Sequence, residues 1–150
     1  MIDDSRALTI VHTDFHRGWG GQINQVLTSC IGLARRGHRV VLAVPEGGTP
    51  AERARAAGIT VFGEVRFRGA GKVASLLRDA WALRRLIATE HPDIIHSHGS
   101  QDTWAVALAN KILPGATHVP HLLTRHNTKR VRDHVFNRWL LGRLIDRLID

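Results

Sequence analysis

Gly18-Trp19-Gly20-Gly21-Gln22 separates an apolar, β-branched run at residues 7–12 from a stretch whose apolar residues recur at helical spacing. The run at 7–12 has the composition of a buried parallel strand. A strand that turns through glycines into a helix gathers free backbone N–H groups at the positive helix end, which suits a diphosphate. Tight turns also use glycine because it tolerates positive φ, so phosphate binding and plain turn geometry both remain open.

Strands and helices alternate along the rest of the chain. The first helix begins near Gln22 and ends at Gly37, and Thr49 is the expected cap of the second helix, which opens with Pro50. Pro92 ends the third helix at His91. Further strands are predicted at residues 39–44, 59–65, 93–97 and 119–124, and helices at 50–57, 73–91, 103–113 and from 131 onward. This order predicts an α/β fold, a Rossmann-like, doubly wound parallel sheet.

Ligands of such sheets bind beyond the carboxyl ends of the strands, so the loops that follow the strands are the candidate site. Two of them are rich in His, Asn, Gln or Arg, one is the glycine loop, and one contains Pro45. We expect the polar loops to meet at one edge of the sheet. The four loops are residues 18–21, the Pro45 loop, residues 96–102 and residues 125–129.

Length and composition indicate one folded domain with an anionic partner. The 150 residues are 43% hydrophobic, and 21 basic residues against 13 acidic ones give a net charge of +8. Cys30 is the only cysteine, so an internal disulfide and a cysteine zinc cluster are excluded. Without a signal-like amino terminus or a membrane-length apolar run, a cytoplasmic protein is expected.

Four motifs follow one another along the chain: the glycine loop, the ending of the first helix, a strand with two histidines and a basic loop. In order they are Gly18-Trp19-Gly20-Gly21-Gln22, the residues 33–40 (LARRGHRV), the residues 92–98 (PDIIHSH) and Thr124-Arg125-His126-Asn127. Together these motifs resemble the amino-terminal half of a family 4 glycosyltransferase with the GT-B fold. The resemblance covers nearly the whole chain and extends to members that act on lipopolysaccharide and other surface glycans.

The resemblance implies retaining transfer of a hexose or similar sugar from a nucleotide-diphosphate sugar to a glycan or lipid-linked acceptor. Gly20 and Gly21 would approach the donor diphosphate, and His126 would lie beside the donor sugar as the catalytic candidate. The acceptor-side candidates are Gln22, His98 and Arg125. The family mechanism needs no protein nucleophile and no metal, so no cofactor is expected beyond the nucleotide-sugar substrate.

The resemblance also implies a missing half. Family members carry a second, carboxy-terminal domain with a basic pair and two spaced glutamates for the donor, and residues 1–150 contain neither. The sequence therefore predicts a single acceptor-side domain that ends inside its own sheet and has little transferase activity alone.

Two other enzyme classes remain alternatives. His96-Ser97-His98 resembles the His-x-His pair of metal-dependent hydrolases, but that pattern needs further ligands, and Asp102 falls too late to supply one. A nicotinamide-dependent oxidoreductase would share the fold class. The dinucleotide fingerprint requires a third glycine where this chain has Ile23, and only Glu46 could bind the ribose.

A basic module that docks on an anionic membrane is the non-enzymatic alternative. Basic residues alternate with Phe136 and Trp139 on the last predicted helix, which could equally pack on the sheet. Nucleic-acid binding is not expected, because no recognised motif accompanies the charge.

Of the four tryptophans, Trp81, Trp104 and Trp139 are expected in or near the core, and Trp19 either stacks on a sugar or wedges the loop. Surface or loop positions are expected for His38, His91, His118 and His121.

Overall fold

The computed structural model describes residues 6–68, 72–115, 118–126 and 135–149, in which strands and helices alternate. Two π-helical turns, Leu108–Ile112 and Leu140–Leu144, continue the fourth and fifth helices. The elements are β1 (Thr9–Thr13), α1 (Gly21–Arg35), β2 (Arg39–Ala43), α2 (Thr49–Ala56), β3 (Thr60–Phe62), α3 (Val73–Glu90), β4 (Ile94–Ser97), α4 (Ser100–Ala107), β5 (His121–Thr124), α5 (Val135–Trp139) and β6 (Arg147–Ile149).

The six strands form one parallel sheet in the order β3-β2-β1-β4-β5-β6. The chain moves outward from β1 to β3, crosses back to β4 beside β1, and then moves outward in the other direction. This reversal between β1 and β4 is the topological switch point where open α/β sheets bind ligands. The predicted fold class, an α/β Rossmann-like doubly wound parallel sheet, is confirmed.

Helices cover both faces of the sheet because alternate strand residues point to opposite sides. On β2, Val40 and Leu42 pack in one buried cluster with Ile23 of α1. Val41, between them in sequence, packs in the other cluster with Leu83 of α3. Both faces of the central strands are therefore buried, which explains their continuous apolar sequences.

The structure differs from the predicted elements at several boundaries. Gly48, not Thr49, is the N-cap of α2. A Cβ on Gly48 would lie 2.8 Å from the carbonyl oxygen of Arg17, so close contact with the β1–α1 loop requires glycine there. Strand β3 is shorter than predicted, and α4 begins at Ser100, three residues before the predicted start. Of the helix predicted from residue 131, residues 131–134 lie outside the described part.

The tryptophans are less buried than predicted. Trp81 is 49% exposed and Trp139 is 44% exposed, so their expected core positions are wrong. Trp104 is half-buried, with its ring centroid 6.5 Å from that of Trp139. Among the described helices, none has the length and apolar character needed to cross a membrane.

A buried carboxylate holds the loop between β3 and α3. Asp79 of α3 is buried, and its two oxygens accept the backbone N–H groups of Arg66 and Phe67, each at 2.8 Å. Phe67 adopts positive φ and is itself buried in the core. The Asp79 carboxylate therefore replaces the strand hydrogen bonds that this segment lacks.

We expect Asp79→Asn to lower the free energy of unfolding by about 1–3 kcal/mol, because an amide nitrogen would face a buried N–H donor. Urea denaturation followed by circular dichroism measures this change. Glu64→Gln is the matched control, because Glu64 pairs with Arg85 at the surface, and it should change stability by less than about 0.5 kcal/mol. Equal effects of the two substitutions would contradict the structural role of Asp79.

Candidate functional site

A cleft of about 810 Å³ opens at the carboxyl ends of β1, β4 and β5. Its walls come from the loops after these strands, the first turns of α1 and α4, and the segment from α5 onward. The lining residues are Phe15, His16, Gly21, Gln22, Gln25, His98, Gly99, Ser100, Thr103, Trp104, Leu123, Thr124, Arg125, His126, Asn137, Leu140 and Leu141. Polar loops at one edge of the sheet therefore form a pocket of the size used for small ligands.

The glycine loop presents bare backbone without a conformational need for glycine. Gly20, the N-cap of α1, has φ of −169°, an extended conformation that any residue adopts. Gly18 and Gly21 also lack positive φ, and a Cβ on any of the three would meet no atom within 4 Å. Neither turn geometry nor packing within the described chain explains these glycines, so the plain turn interpretation loses its physical basis.

A buried aspartate joins the end of β1 to α1. The Asp14 carboxylate accepts hydrogen bonds from the backbone N–H of His16 at 2.9 Å and from Gln22 Nε2 at 2.8 Å. His16 Nδ1 lies 2.6 Å from the same carboxylate. This contact fixes the His16 ring in the cleft wall. Neither Asp14 nor His16 was predicted as a site residue, although both lie just beyond the predicted strand at 7–12.

Four imidazoles form a connected group beside the cleft. His12 Nδ1 lies 2.9 Å from His98 Nε2, and His98 Nδ1 lies 3.1 Å from His126 Nε2. The His96 ring centroid is 4.1 Å from that of His98, and His96 Nε2 lies 2.7 Å from Thr124 Oγ1. His12 and His96 are paired in register on neighbouring strands, which brings the group together.

Burial keeps these rings neutral. Loss of solvation lowers the pKa of His12 to about 3 and that of His96 to about 4. Desolvation and the neighbouring imidazoles lower the pKa of His98 strongly. The pKa of His126, at the open side, is also lowered, with desolvation as the main cause. At neutral pH the cleft therefore contains imidazoles that can each donate one hydrogen bond and accept another.

Asp102 connects β1 to the loop after β4. Its Oδ2 accepts hydrogen bonds from Thr13 Oγ1 at 2.6 Å and from the backbone N–H of His98 at 3.1 Å. Complete burial raises the pKa of this carboxyl group to about 8, while the Thr13 hydrogen bond opposes the rise. Asp102 thus positions His98 from behind.

The structure brings most of the predicted site residues together. Gly21, Gln22, His98, Arg125 and His126 all line the cleft. Gly20, directly before Gly21, does not line it, and neither does the Pro45 loop. Residues 127–129 of the last polar loop lie outside the described residues.

Three further residues that the sequence analysis considered, Trp19, Glu46 and His121, have defined contacts in the structure. The Arg53 guanidinium lies 4.1 Å from the Trp19 ring centroid, and the Trp19 ring does not line the cleft, which favours wedging of the loop over sugar stacking. Glu46 forms an exposed two-point ion pair with Arg55. The predicted surface position of His121 is wrong, because His121 is fully buried on β5 with Nε2 2.8 Å from Ser97 Oγ.

Comparison with known proteins identifies the class. The family model described as Glycosyltransferase Family 4 matches residues 19–149. The chain therefore belongs to glycosyltransferase family 4, as the resemblance predicted. No curated protein matches the chain.

Solved structures share the fold at low sequence identity. A glycosyltransferase from Rickettsia africae superposes with a TM-score of 0.72 at 18% identity, covering 89% of this chain and 33% of that one. MurG from Acinetobacter baumannii gives 0.68 at 16% identity, covering 95% and 40%. Alr3699/HepE from Anabaena, solved in complex with UDP and glucose, gives 0.65 at 13% identity, covering 94% and 37%. This chain thus spans well under half the length of these structures, and its fold is that of a Rossmann-like GT-B glycosyltransferase domain.

The buried His121 predicts a pH-dependent stability. Burial lowers its pKa in the folded protein to about 4, with a smaller effect from Lys111. Below pH ~6.5 the unfolded chain binds a proton that the folded chain does not. The contribution of neutral His121 to the free energy of unfolding is therefore fully present above pH ~6.5. It is lost as pH falls toward ~4, by about 1.4 kcal/mol per pH unit.

We expect His121→Gln to make the free energy of unfolding less sensitive to pH between about 6.5 and 4, because glutamine does not titrate. Urea denaturation at several pH values in this window measures both slopes. His91→Gln, at an exposed histidine, is the control and should keep the wild-type slope. Parallel pH profiles for His121→Gln and the wild type would refute this account of His121.

Proposed function

We propose that this chain is the amino-terminal, acceptor-side domain of a retaining glycosyltransferase. The enzyme would transfer a hexose or similar sugar from a nucleotide-diphosphate sugar to a glycan or lipid-linked acceptor, as in lipopolysaccharide biosynthesis. Membership of glycosyltransferase family 4 supports the class. The observation that carries the proposal is the helix N-terminus at Gly20 and Gly21, where glycine is required neither by the backbone nor by packing.

The donor diphosphate would lie against this helix end. Gly21 lines the cleft and begins α1, so its amide belongs to the first helical turn, where N–H groups lack intrahelical acceptors. Gly20 would leave the approach to that turn open. Backbone N–H groups and the helix dipole stabilise phosphate oxygens without a metal. The Anabaena structure with UDP and glucose makes a nucleotide sugar the natural donor class for this proposal.

The catalytic candidate is His126, which would contact the donor sugar. It lines the cleft after β5, with Nε2 3.1 Å from His98 Nδ1. Of the acceptor-side candidates, His98 has both ring nitrogens within reach of other imidazoles, so we assign it the positioning of His126. Gln22 donates to Asp14, and its remaining amide oxygen can accept a sugar hydroxyl. Arg125, in the cleft wall, supplies positive charge for the acceptor side.

The proposed reaction needs no protein nucleophile. The bond between the anomeric carbon and the diphosphate oxygen breaks while the acceptor oxygen bonds to the same carbon. The acceptor proton passes to the departing diphosphate. The protein would accelerate this exchange by orienting both substrates and by stabilising charge on the diphosphate.

A second, carboxy-terminal domain would complete the donor site. The chain spans 33–40% of the length of the glycosyltransferase structures described above. We propose that the parent protein carries a basic pair and spaced glutamates in that domain, and that residues 1–150 alone have little transferase activity.

We expect Gly21→Ala to abolish most donor binding while leaving the fold intact, because the new methyl group would occupy the space of the diphosphate. Alanine is at least as favourable as glycine within a helix, so stability should stay equal or rise by up to about 1 kcal/mol. Donor affinity in the parent protein should fall at least about tenfold, the equivalent of ~1.4 kcal/mol. Isothermal titration with a panel of nucleotide-diphosphate sugars measures this affinity.

Gly32→Ala is the matched control, because Gly32 also lies in α1 and its Cβ would meet no atom within 4 Å. It should leave donor affinity unchanged. Unchanged donor affinity in Gly21→Ala, or absence of binding by the parent protein to every nucleotide sugar tested, would contradict the proposed donor site.

Membrane docking is the second proposal, for the lipid-linked acceptor. Val135 and Phe136 on α5 are 61% and 60% exposed. Trp139 and the basic Arg138 lie on the same short helix. Exposed apolar side chains beside cationic ones suit the surface of an anionic bilayer. This association would be peripheral, on the inner membrane face.

We expect the chain to co-sediment with vesicles containing phosphatidylglycerol and much less with neutral phosphatidylcholine vesicles. The double substitution Val135→Ser and Phe136→Ser should reduce binding to anionic vesicles severalfold. Val73→Ser on α3 is the control, because Val73 is 63% exposed on another helix. Equal sedimentation with both vesicle types would argue against docking driven by charge.

A further inference from the structure

Three histidines of the imidazole group converge beside the cleft, and His98 lines its wall. His12 comes from β1, His96 from β4, and His98 from the loop directly after β4. Each offers a ring nitrogen, and these nitrogens all lie within 4.8 Å of one another. We call these residues the three-histidine cluster. The His-x-His pair lacked further ligands in the sequence, and the parallel pairing of β1 with β4 supplies the third imidazole.

The nitrogens of His96 and His98 that face away from the cluster have polar partners. His96 Nε2 contacts Thr124 Oγ1 at 2.7 Å, which leaves Nδ1 as the candidate metal donor. His98 Nδ1 contacts His126 Nε2 at 3.1 Å, so the candidate donor is Nε2, which lies 2.9 Å from His12 Nδ1. Metal-binding histidines characteristically have their second nitrogen held in this way, which fixes the tautomer and the ring orientation.

His12 provides an independent observation. Its ring is buried, and its Nε2 has no hydrogen-bond partner in the described part of the chain. Its Nδ1 lies 2.9 Å from His98 Nε2, a hydrogen bond in which one of the two rings donates, so metal binding through either nitrogen would replace this contact. A buried polar atom without a partner is unfavourable. A cation bound by these rings could take the unpartnered Nε2 of His12 as a ligand.

The surrounding chemistry selects the kind of cation. Neutral imidazoles suit zinc and related transition metals, whereas magnesium and calcium prefer oxygen ligands. Of the nearby carboxylates, Asp14 accepts from Gln22 and Asp102 accepts from Thr13 through Oδ2, whereas Asp102 Oδ1 is buried without a hydrogen-bond partner in the described part of the chain. With Zn–N bonds of about 2.0–2.1 Å, two ligand nitrogens can be at most about 4.2 Å apart. In a tetrahedral site two such nitrogens lie about 3.3 Å apart. Metal binding would therefore close the widest separation, which is within 4.8 Å, by up to about 1.5 Å and would open the 2.9 Å contact between His12 and His98.

We propose that His12, His96 and His98 form a binding site for one divalent transition-metal ion of the zinc class. Three protein ligands leave a coordination position open, as in zinc sites that bind a water or a substrate atom. This inference reverses the expectation of no metal and does not depend on the transferase proposal.

Metal binding by the untagged chain tests the proposal after treatment with a chelator and removal of the chelator. Isothermal titration with ZnCl2 should give one bound equivalent, whereas MgCl2 should give no heat. Co2+ should produce the intense visible absorption of a four-coordinate site with nitrogen ligands. Zinc should also raise the melting temperature of the wild-type protein. Failure of the wild type to bind Zn2+ or Co2+ stoichiometrically would overturn the proposal.

Substitutions locate the ion. We expect His12→Asn and His98→Asn each to weaken zinc binding by more than about 100-fold, since even partners of ligands contribute about 10–100-fold. Thr124→Val, which removes only the partner of His96, should weaken it about tenfold. His91→Asn is the control, because His91 is exposed and has positive φ, which asparagine tolerates. Zinc binding that is unchanged in folded His12→Asn and in Thr124→Val would place the ion elsewhere and refute the site.

Discussion

The parallel pairing of β1 with β4 is the constraint on which the cleft depends. It sets Thr13 opposite Ser97 and places the carboxyl ends of both strands at one edge of the sheet. His12 and His98 are 86 residues apart in sequence, yet their rings are within hydrogen-bond distance. The Thr13 to Asp102 hydrogen bond closes the same junction from the other side. Because the crossovers leave this pair in opposite directions, a crevice opens above it.

The helix that follows β1 gives this crevice its chemical character. Its first turn borders the cleft, and its glycines keep the amide groups uncovered. The opposite wall contributes neutral imidazoles and Arg125. A site that combines helix-end amides, uncharged donors and one guanidinium suits a polyanionic ligand with many hydroxyl groups. The activity proposed from the family membership is therefore assigned to the carboxyl edge of the sheet.

Local sequence patterns predicted the elements well where packing and propensity agree. The apolar stripe of α1 and the buried strands β1, β2 and β4 follow directly from periodicity. The predicted boundaries were wrong where contacts between residues distant in sequence determine the end of an element. Thr49 is a better cap than Gly48 by propensity, but the backbone of Arg17 occupies the space beside residue 48. Strand β3 ends at Phe62, and the distant Asp79 holds the amides of Arg66 and Phe67 further along the same segment.

The site was predictable in its loops and not in its connections. The rule that ligands bind at strand ends selected the loops, and the family resemblance named the residues Gly21, Gln22, His98, Arg125 and His126, all of which line the cleft. It could not reveal that His12 completes a cluster with His96, because that contact depends on strand order. His121 was misplaced for the same reason: a polar residue on a central strand is buried when Ser97 of the neighbouring strand supplies its hydrogen bond.

The central claim is that the amino end of α1 receives the donor diphosphate. A titration of the 15N-labelled parent protein with UDP, followed by the amide signals in two-dimensional NMR spectra, tests it directly. The account predicts the largest shifts at Gly20, Gly21 and Gln22, with smaller shifts at His98 and His126 and none at Gly32. Shifts that are confined to another surface, or no shift at the glycine amides with saturating UDP, would contradict it.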